Sequence, residues 1–156
     1  MEELPPFEAV MRSQQYFAHN ARGYDSTILG RLKVESATKG RVVTTLVVEE
    51  CHLNANGNIH GGVLASIVDV ASSFAIASAG CYGTGVSTDL NISYLSSADL
   101  GDTITIEATC ARLGKTLAYT TTEIRKGQVI VAQGRHTKFV AQAFALQKKV
   151  QQASKL

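Results

Sequence analysis

The 156-residue chain has no tryptophan, two prolines and three cysteines. So few prolines exclude a proline-rich linker, and thirteen glycines without a period exclude a collagen-like chain. Cys51, Cys81 and Cys110 cannot pair completely and match no metal spacing, which points to a reducing compartment and no metal site. Charge is also scarce: 18% of residues are Asp, Glu, Lys or Arg, and the net of +2 is too small by itself to indicate nucleic-acid binding. No uninterrupted apolar run suits a membrane span, because the low-charge stretch 51–88 is broken by glycines, serines and Asp69. A mass of 16.6 kDa is that of one domain.

The charge that is present is unevenly placed. Residues 42–111 hold seven acids and no lysine or arginine, whereas residues 112–156 hold nine basic residues against Glu123 alone. A basic final third suits an anionic ligand, or solubilising lysines on strands and tail. The amino end, MEELPPFEAV, has early glutamates and no apolar run of signal type. The carboxyl end reads Ser154-Lys155-Leu156, the tripeptide taken by the peroxisomal import receptor. Peroxisomal localisation is therefore expected, and a cytoplasmic one if the tail is not read.

Periodicity divides the chain into an N-terminal helical segment (1–24), a central domain (25–140) and a tail (141–156). Phe7, Val10, Met11, Tyr16 and Phe17 recur at helical spacing over 6–20. Residues 27–37 and 41–49 read as strands joined by a turn at Thr38-Lys39-Gly40. Residues 61–79 are long, rich in small residues and apolar on nearly every side, so a helix enclosed on most faces is expected. Strands follow at 85–95, 103–110, 116–124 and 128–140, and 141–153 is weakly helical. Strand runs around one helix imply an α+β fold in which an antiparallel sheet curls around that helix.

Asp69 lies midway along this most apolar helix. Burying a carboxylate unpaired is expensive, and apolar surroundings favour its protonated form. No lysine or arginine lies within 27 residues on either side, and helical spacing puts Ser66, Ser72 and Ser73 beside it. Those serines could satisfy the acid, or it could act as a base. Upstream, Asn54 and His60 precede Gly61 and Gly62 at the helix start, where free N–H groups could polarise a carbonyl. Eight residues separate Gly61 from Asp69, about 12 Å along one helix. If both act on one bond, the acid must come from a second copy, which predicts a dimer with composite sites. His136, between Arg135 and Thr137 in a strand, reads as a paired or solvated residue.

Four blocks then converge on one resemblance. They are Asn54 with His60-Gly61-Gly62 and Asp69; Gly85 to Tyr94 (GVSTDLNISY); Gly114 to Tyr119 (GKTLAY); and Gln133 to Lys138 (QGRHTK). Together they resemble the hotdog-fold acyl-CoA thioesterases of the phenylacetic-acid-degradation type, over roughly residues 25–140. The resemblance implies a curved antiparallel sheet around one central helix, in a homodimer or a homotetramer built from two dimers. It implies hydrolysis of acyl-CoA to free acid and CoA, with no cofactor apart from the coenzyme A of the substrate. The Gly61 N–H, helped by Asn54, would polarise the thioester carbonyl. Asp69 of the other subunit would act as base on water or as nucleophile, Ser87 would hold the water, and His60 would orient the loop. Asp89, Tyr94, Arg112, Gly114, Lys115, Thr116 and Leu117 would meet the CoA portion. A hydratase acting on enoyl-CoA and a non-catalytic acyl-CoA binder remain alternatives.

Overall fold

In the computed structural model, residues 4–19, 23–83 and 85–153 are described, without the side chains of 16–19 and 148–153. The Tyr16 and Phe17 side chains of the helical pattern and the Ser154-Lys155-Leu156 tail lie outside this set. The elements run α1 (Pro6–His19), α2 (Tyr24–Leu29), β1 (Lys33–Thr38), β2 (Arg41–Val47), a 3-10 turn (Glu50–His52), α3 (Gly61–Ser78), β3 (Val86–Tyr94), β4 (Thr103–Leu113), β5 (Leu117–Lys126), β6 (Val129–Phe139) and α4 (Ala141–Ala153).

All six strands join one antiparallel sheet in the order β1-β2-β4-β5-β6-β3. This is the curled sheet around one helix that the sequence implied. Alternation decides which face turns inward: Ile104, Ile106 and Ala108 of β4 are buried while Thr103, Thr105 and Glu107 are exposed. The inward row packs on Val63, Leu64, Ile67, Val68, Ala71 and Phe74 of α3. Helix α1 covers α3 further with Val10. Helix α4 caps the sheet end, where Ala143 joins Ile76, Cys81, Ala118 and Val140.

One expectation fails at the start of the domain. Residues 27–29 are helical, and β1 begins only at Lys33. Ser26 and Thr27 hydroxyls donate back to the Gly23 carbonyl at 3.1 and 2.9 Å, closing the first turn of α2. Buried His52 pairs its Nε2 with the Ile28 carbonyl at 2.7 Å, which ties that helix down. Apolar alternation starts after Gly30, so the pattern of Leu32 and Val34 never applied to the segment before it.

Strand β6 touches α3 closely because Gly134 has no side chain. A Cβ there would stand 2.6 Å from Val68 Cγ1 and 2.8 Å from Cγ2. Two residues further on, the inward positions of β6 carry His136 and Lys138, both buried. Helix α3 is therefore not apolar all round. Its stripe of Asp69, Ser72 and Ser73 meets Thr120 and Thr122 of β5 and His136 and Lys138 of β6.

Candidate active site

The segment before α3 is a closed turn held by Asn54. The Asn56 and Asn58 N–H groups donate to Asn54 Oδ1 at 2.9 and 3.2 Å, and the Asn54 N–H donates to the Asn58 carbonyl at 2.7 Å. This use of the amide oxygen leaves Asn54 Nδ2 as a donor with no partner among the described residues. His60 caps the helix: its Nδ1 accepts the Gly62 N–H at 2.8 Å, and its carbonyl accepts from Val63 and Leu64. Of the two glycine N–H groups expected to face a ligand, Gly62 is thus spent on the cap. Gly61 keeps a donor uncommitted among the described residues. Tyr94 lies over Gly61 and donates its hydroxyl to the Gly61 carbonyl at 3.2 Å.

Asp69 is surrounded differently from expectation. None of the neighbouring serines serves its carboxylate. Ser66 donates to the Gly62 carbonyl, Ser72 pairs with Thr120 and Thr122, and Ser73 donates to the Asp69 backbone carbonyl at 3.0 Å. The partner comes from β6: Lys138 Nζ donates to Asp69 Oδ1 at 3.2 Å and to Ser73 Oγ at 2.8 Å. Apolar surroundings and no cation hold only for the helix itself; the sheet supplies an ammonium from 69 residues away. In this chain by itself the Asp69 side chain is 42% exposed, and its second oxygen has no partner among the described residues.

His136 also belongs to this cluster. It is 1% exposed, with Nδ1 3.6 Å from Asp69 Oδ1 and Nε2 2.9 Å from Ser87 Oγ. Nδ1 makes no hydrogen bond among the described residues and faces Asp69 Oδ1 across 3.6 Å. Burial holds the imidazole below its ordinary pKa; Asp69 and Asp89 pull it up, and Lys138 adds to the lowering. A neutral ring with its proton on Nδ1 accepts the Ser87 hydroxyl at Nε2. Ser87 reaches the ring because β3 is bulged. Its register with β6 steps from Ser87↔Lys138 to Asp89↔Thr137, with Thr88 as the extra residue. Thr88 fastens the bulge by donating its hydroxyl to the Thr137 carbonyl at 3.0 Å.

The remaining expected contacts gather at one end of the sheet. Leu117 and Val86 both pair with Phe139, so the β4–β5 connection and the start of β3 lie at the same end of the sheet with β6 between them. Gly114 donates its N–H to the Leu117 carbonyl at 2.9 Å, and Thr116 accepts from Val140 at 2.8 Å. Arg112, Lys115 and Thr116 are exposed there, the first two without an ion pair among the described residues; Asp89 is exposed on β3. The basic final third is not one anion-binding surface. Arg125 pairs with Glu123, Lys126 pairs with Asp102, and Lys138 is buried.

The structure therefore makes two clusters. Asn54, His60, Gly61 and Tyr94 form one, while Asp69, Ser87, His136 and Lys138 form the other. No hydrogen bond or ion pair among the described residues joins them. Sequence reasoning passed over His136 as a catalyst and missed Lys138. The available signal was their places two and four residues after Gly134 on a strand facing a helix with a polar stripe.

A curled antiparallel sheet enclosing a helix that bears one central acid, with an open N–H at its start, is the hotdog architecture of thioester-cleaving proteins. Residues 56–133 match the family model described as Thioesterase superfamily. The chain is 42% identical over 120 residues to human acyl-coenzyme A thioesterase 13, covering 76% of this chain and 85% of that one. Zebrafish thioesterase superfamily member 2 superposes with a TM-score of 0.76 at 37% identity, over 84% of this chain and 97% of that one. A Streptococcus mutans UA159 protein in a crystal structure bound to acetyl CoA gives a TM-score of 0.67 at 31% identity, over 70% of this chain and 88% of that one. The chain belongs to the Thioesterase superfamily and is a thioester hydrolase.

Proposed function

We propose that this chain hydrolyses acyl-CoA thioesters at sites shared between two copies. The observation that carries the reading is the Asp69 carboxylate, with one oxygen held by Lys138 and the other without a partner among the described residues. The thioester carbonyl accepts hydrogen bonds from the Gly61 N–H and Asn54 Nδ2 of one copy. Asp69 of the other takes a proton from water as the water oxygen bonds to the carbonyl carbon. Ser87, positioned by His136, helps hold that water. The tetrahedral oxyanion then collapses, the C–S bond breaks, and CoA leaves as thiolate and collects a proton. A well-placed base contributes roughly 10²–10⁴-fold, and one oxyanion donor about 10²–10³-fold.

Two features support the second copy. The helix geometry separates Gly61 from Asp69 by about 12 Å. Strand β3 is a sheet edge with apolar side chains in the open: Val86, Leu90 and Tyr94 are 61%, 41% and 56% exposed. An unpaired apolar edge of this kind suits strand pairing with another copy. Arg112 and Lys115 would give charge-assisted hydrogen bonds to CoA phosphates, with Asp89, Gly114, Thr116 and Leu117 towards the same end and Tyr94 at the far end of β3, over Gly61.

The direct test is thiol release from a panel of acyl-CoA substrates. Wild-type protein should release thiol, and a folded Asp69→Asn protein should lose on the order of 10²-fold or more in kcat. Full turnover by Asp69→Asn, or loss of enoyl absorbance without thiol, would reject this mechanism. Ser154-Lys155-Leu156 serves in this reading as a peroxisomal address. A fluorescent fusion ending in this tail should enter peroxisomes, and the same fusion lacking the three residues should stay in the cytosol.

A further inference from the structure

We propose that Lys138 is a positioning residue for hydrolysis: its ammonium anchors one oxygen of Asp69 so that the other is presented to water. The inference rests on the reading of Asp69 as the base and concerns a residue that never meets substrate.

The geometry is specific. Lys138 is 5% exposed and faces α3 from β6. Its ammonium has two acceptors, Asp69 Oδ1 at 3.2 Å and Ser73 Oγ at 2.8 Å. Ser73 is itself fixed, donating its hydroxyl to the Asp69 carbonyl at 3.0 Å. Ammonium, serine and aspartate thus close a ring around one turn of α3. A buried ammonium is costly, and an apolar side chain of similar length would fill the same space with less penalty. A cation retained here has a use beyond packing. It fixes the carboxylate's rotation through Oδ1, while Oδ2 has no partner among the described residues. His136 cannot substitute: its Nδ1 stands 3.6 Å away and its Nε2 is committed to Ser87.

The charged and titratable groups around the carboxylate are Lys138 and His136 of β6, with Asp89 of β3 acting on His136. Loss of the ammonium removes one cause that holds the His136 imidazole below its ordinary pKa, so the low-pH limb of kcat/KM moves upward.

The test is thiol release across pH by wild type, Lys138→Met, Lys138→Arg, Asp69→Asn and the Lys138→Met/Asp69→Asn double variant, with folding checked by circular dichroism. For Lys138→Met, kcat and kcat/KM should fall together, on the order of 10²-fold for a misplaced base. The low-pH limb should rise. Lys138→Arg keeps the charge and should keep the wild-type limb despite slower turnover. The double variant should be no slower than Asp69→Asn. If Lys138→Met does not fold, Lys138→Gln, which removes the charge and keeps a donor, is read by the same shift in the limb. A folded neutral variant with wild-type kcat and profile overturns the proposal while Asp69→Asn remains inactive. Full activity of Asp69→Asn overturns the base reading and this proposal with it.

Discussion

Gly134→Ala probes the contact that holds both halves of the acid cluster together. The new Cβ would lie 2.6 and 2.8 Å from the two Val68 methyls and 3.3 Å from Val68 Cβ. Ordinary carbon contact needs about 3.5–4.0 Å, so strand and helix must part by roughly 1 Å. Val68 adjoins Asp69, and Gly134 stands two residues from His136 on the same face. The same displacement therefore acts on the 3.2 Å and 3.6 Å contacts of Lys138 and His136 with Asp69. Overpacking of this kind costs about 1–3 kcal/mol. Removing a glycine from the unfolded chain returns only about 0.4–1 kcal/mol, so destabilisation wins. The net loss of about 0.6–2 kcal/mol should lower the melting temperature by roughly 1–8 °C. A shift of about 1 Å in a base should lower kcat on the order of 10²-fold. The assay pairs thermal unfolding with thiol-release kinetics, and adds Val68→Ala. That second change removes both clashing methyls and should restore much of the turnover lost in Gly134→Ala. A Gly134→Ala protein with wild-type melting and kcat would refute the close-contact argument, as would a double variant slower than the single one.

Site sharing can be tested by subunit exchange. Asn54→Ala and Asp69→Asn chains, each inactive by itself, should regain up to about a quarter of wild-type activity when mixed in equal amounts, since half the dimers then hold one intact site. No recovery despite demonstrated exchange would count against shared sites. The lowered pKa of His136 carries a stability consequence. The unfolded imidazole binds a proton near 6.5 and the buried one does so only at lower pH, so stability should fall as pH drops below about 6.5 towards the folded value. Denaturant unfolding at pH 7 and pH 5 should show a smaller drop for His136→Gln than for wild type, and equal drops would contradict the assignment.

Much of the architecture was legible because it is local. Alternation at Ile104, Ile106 and Ala108 marked both the strand and its buried face. The glycine turn at Gly40 and the long apolar segment from Gly61 marked the β1–β2 hairpin and the central helix. The clear local failure was at 27–29, where hydroxyl caps and the buried His52 impose a helix that apolar spacing does not encode. At the site, Asp69 stood out as an acid in an apolar helix, and the loop from Asn54 to Gly62 stood out by its glycines and polar residues. Its cap geometry did not: the folded structure has His60 consume the Gly62 N–H and leave the Gly61 N–H open among the described residues.

By itself the sequence determined most of the elements, the inward face of alternating strands such as β4 and the acid at the centre of the helix, because these depend on periods of two and 3.6 residues. Tertiary structure alone decided the surroundings of that acid. Lys138 and His136 reach Asp69 through strand order and register, which bring β6 against α3, and the bulge at Thr88 brings Ser87 of β3 to His136. Those relations arise from closure of the sheet around the helix over separations of more than sixty residues, and no local pattern carries them.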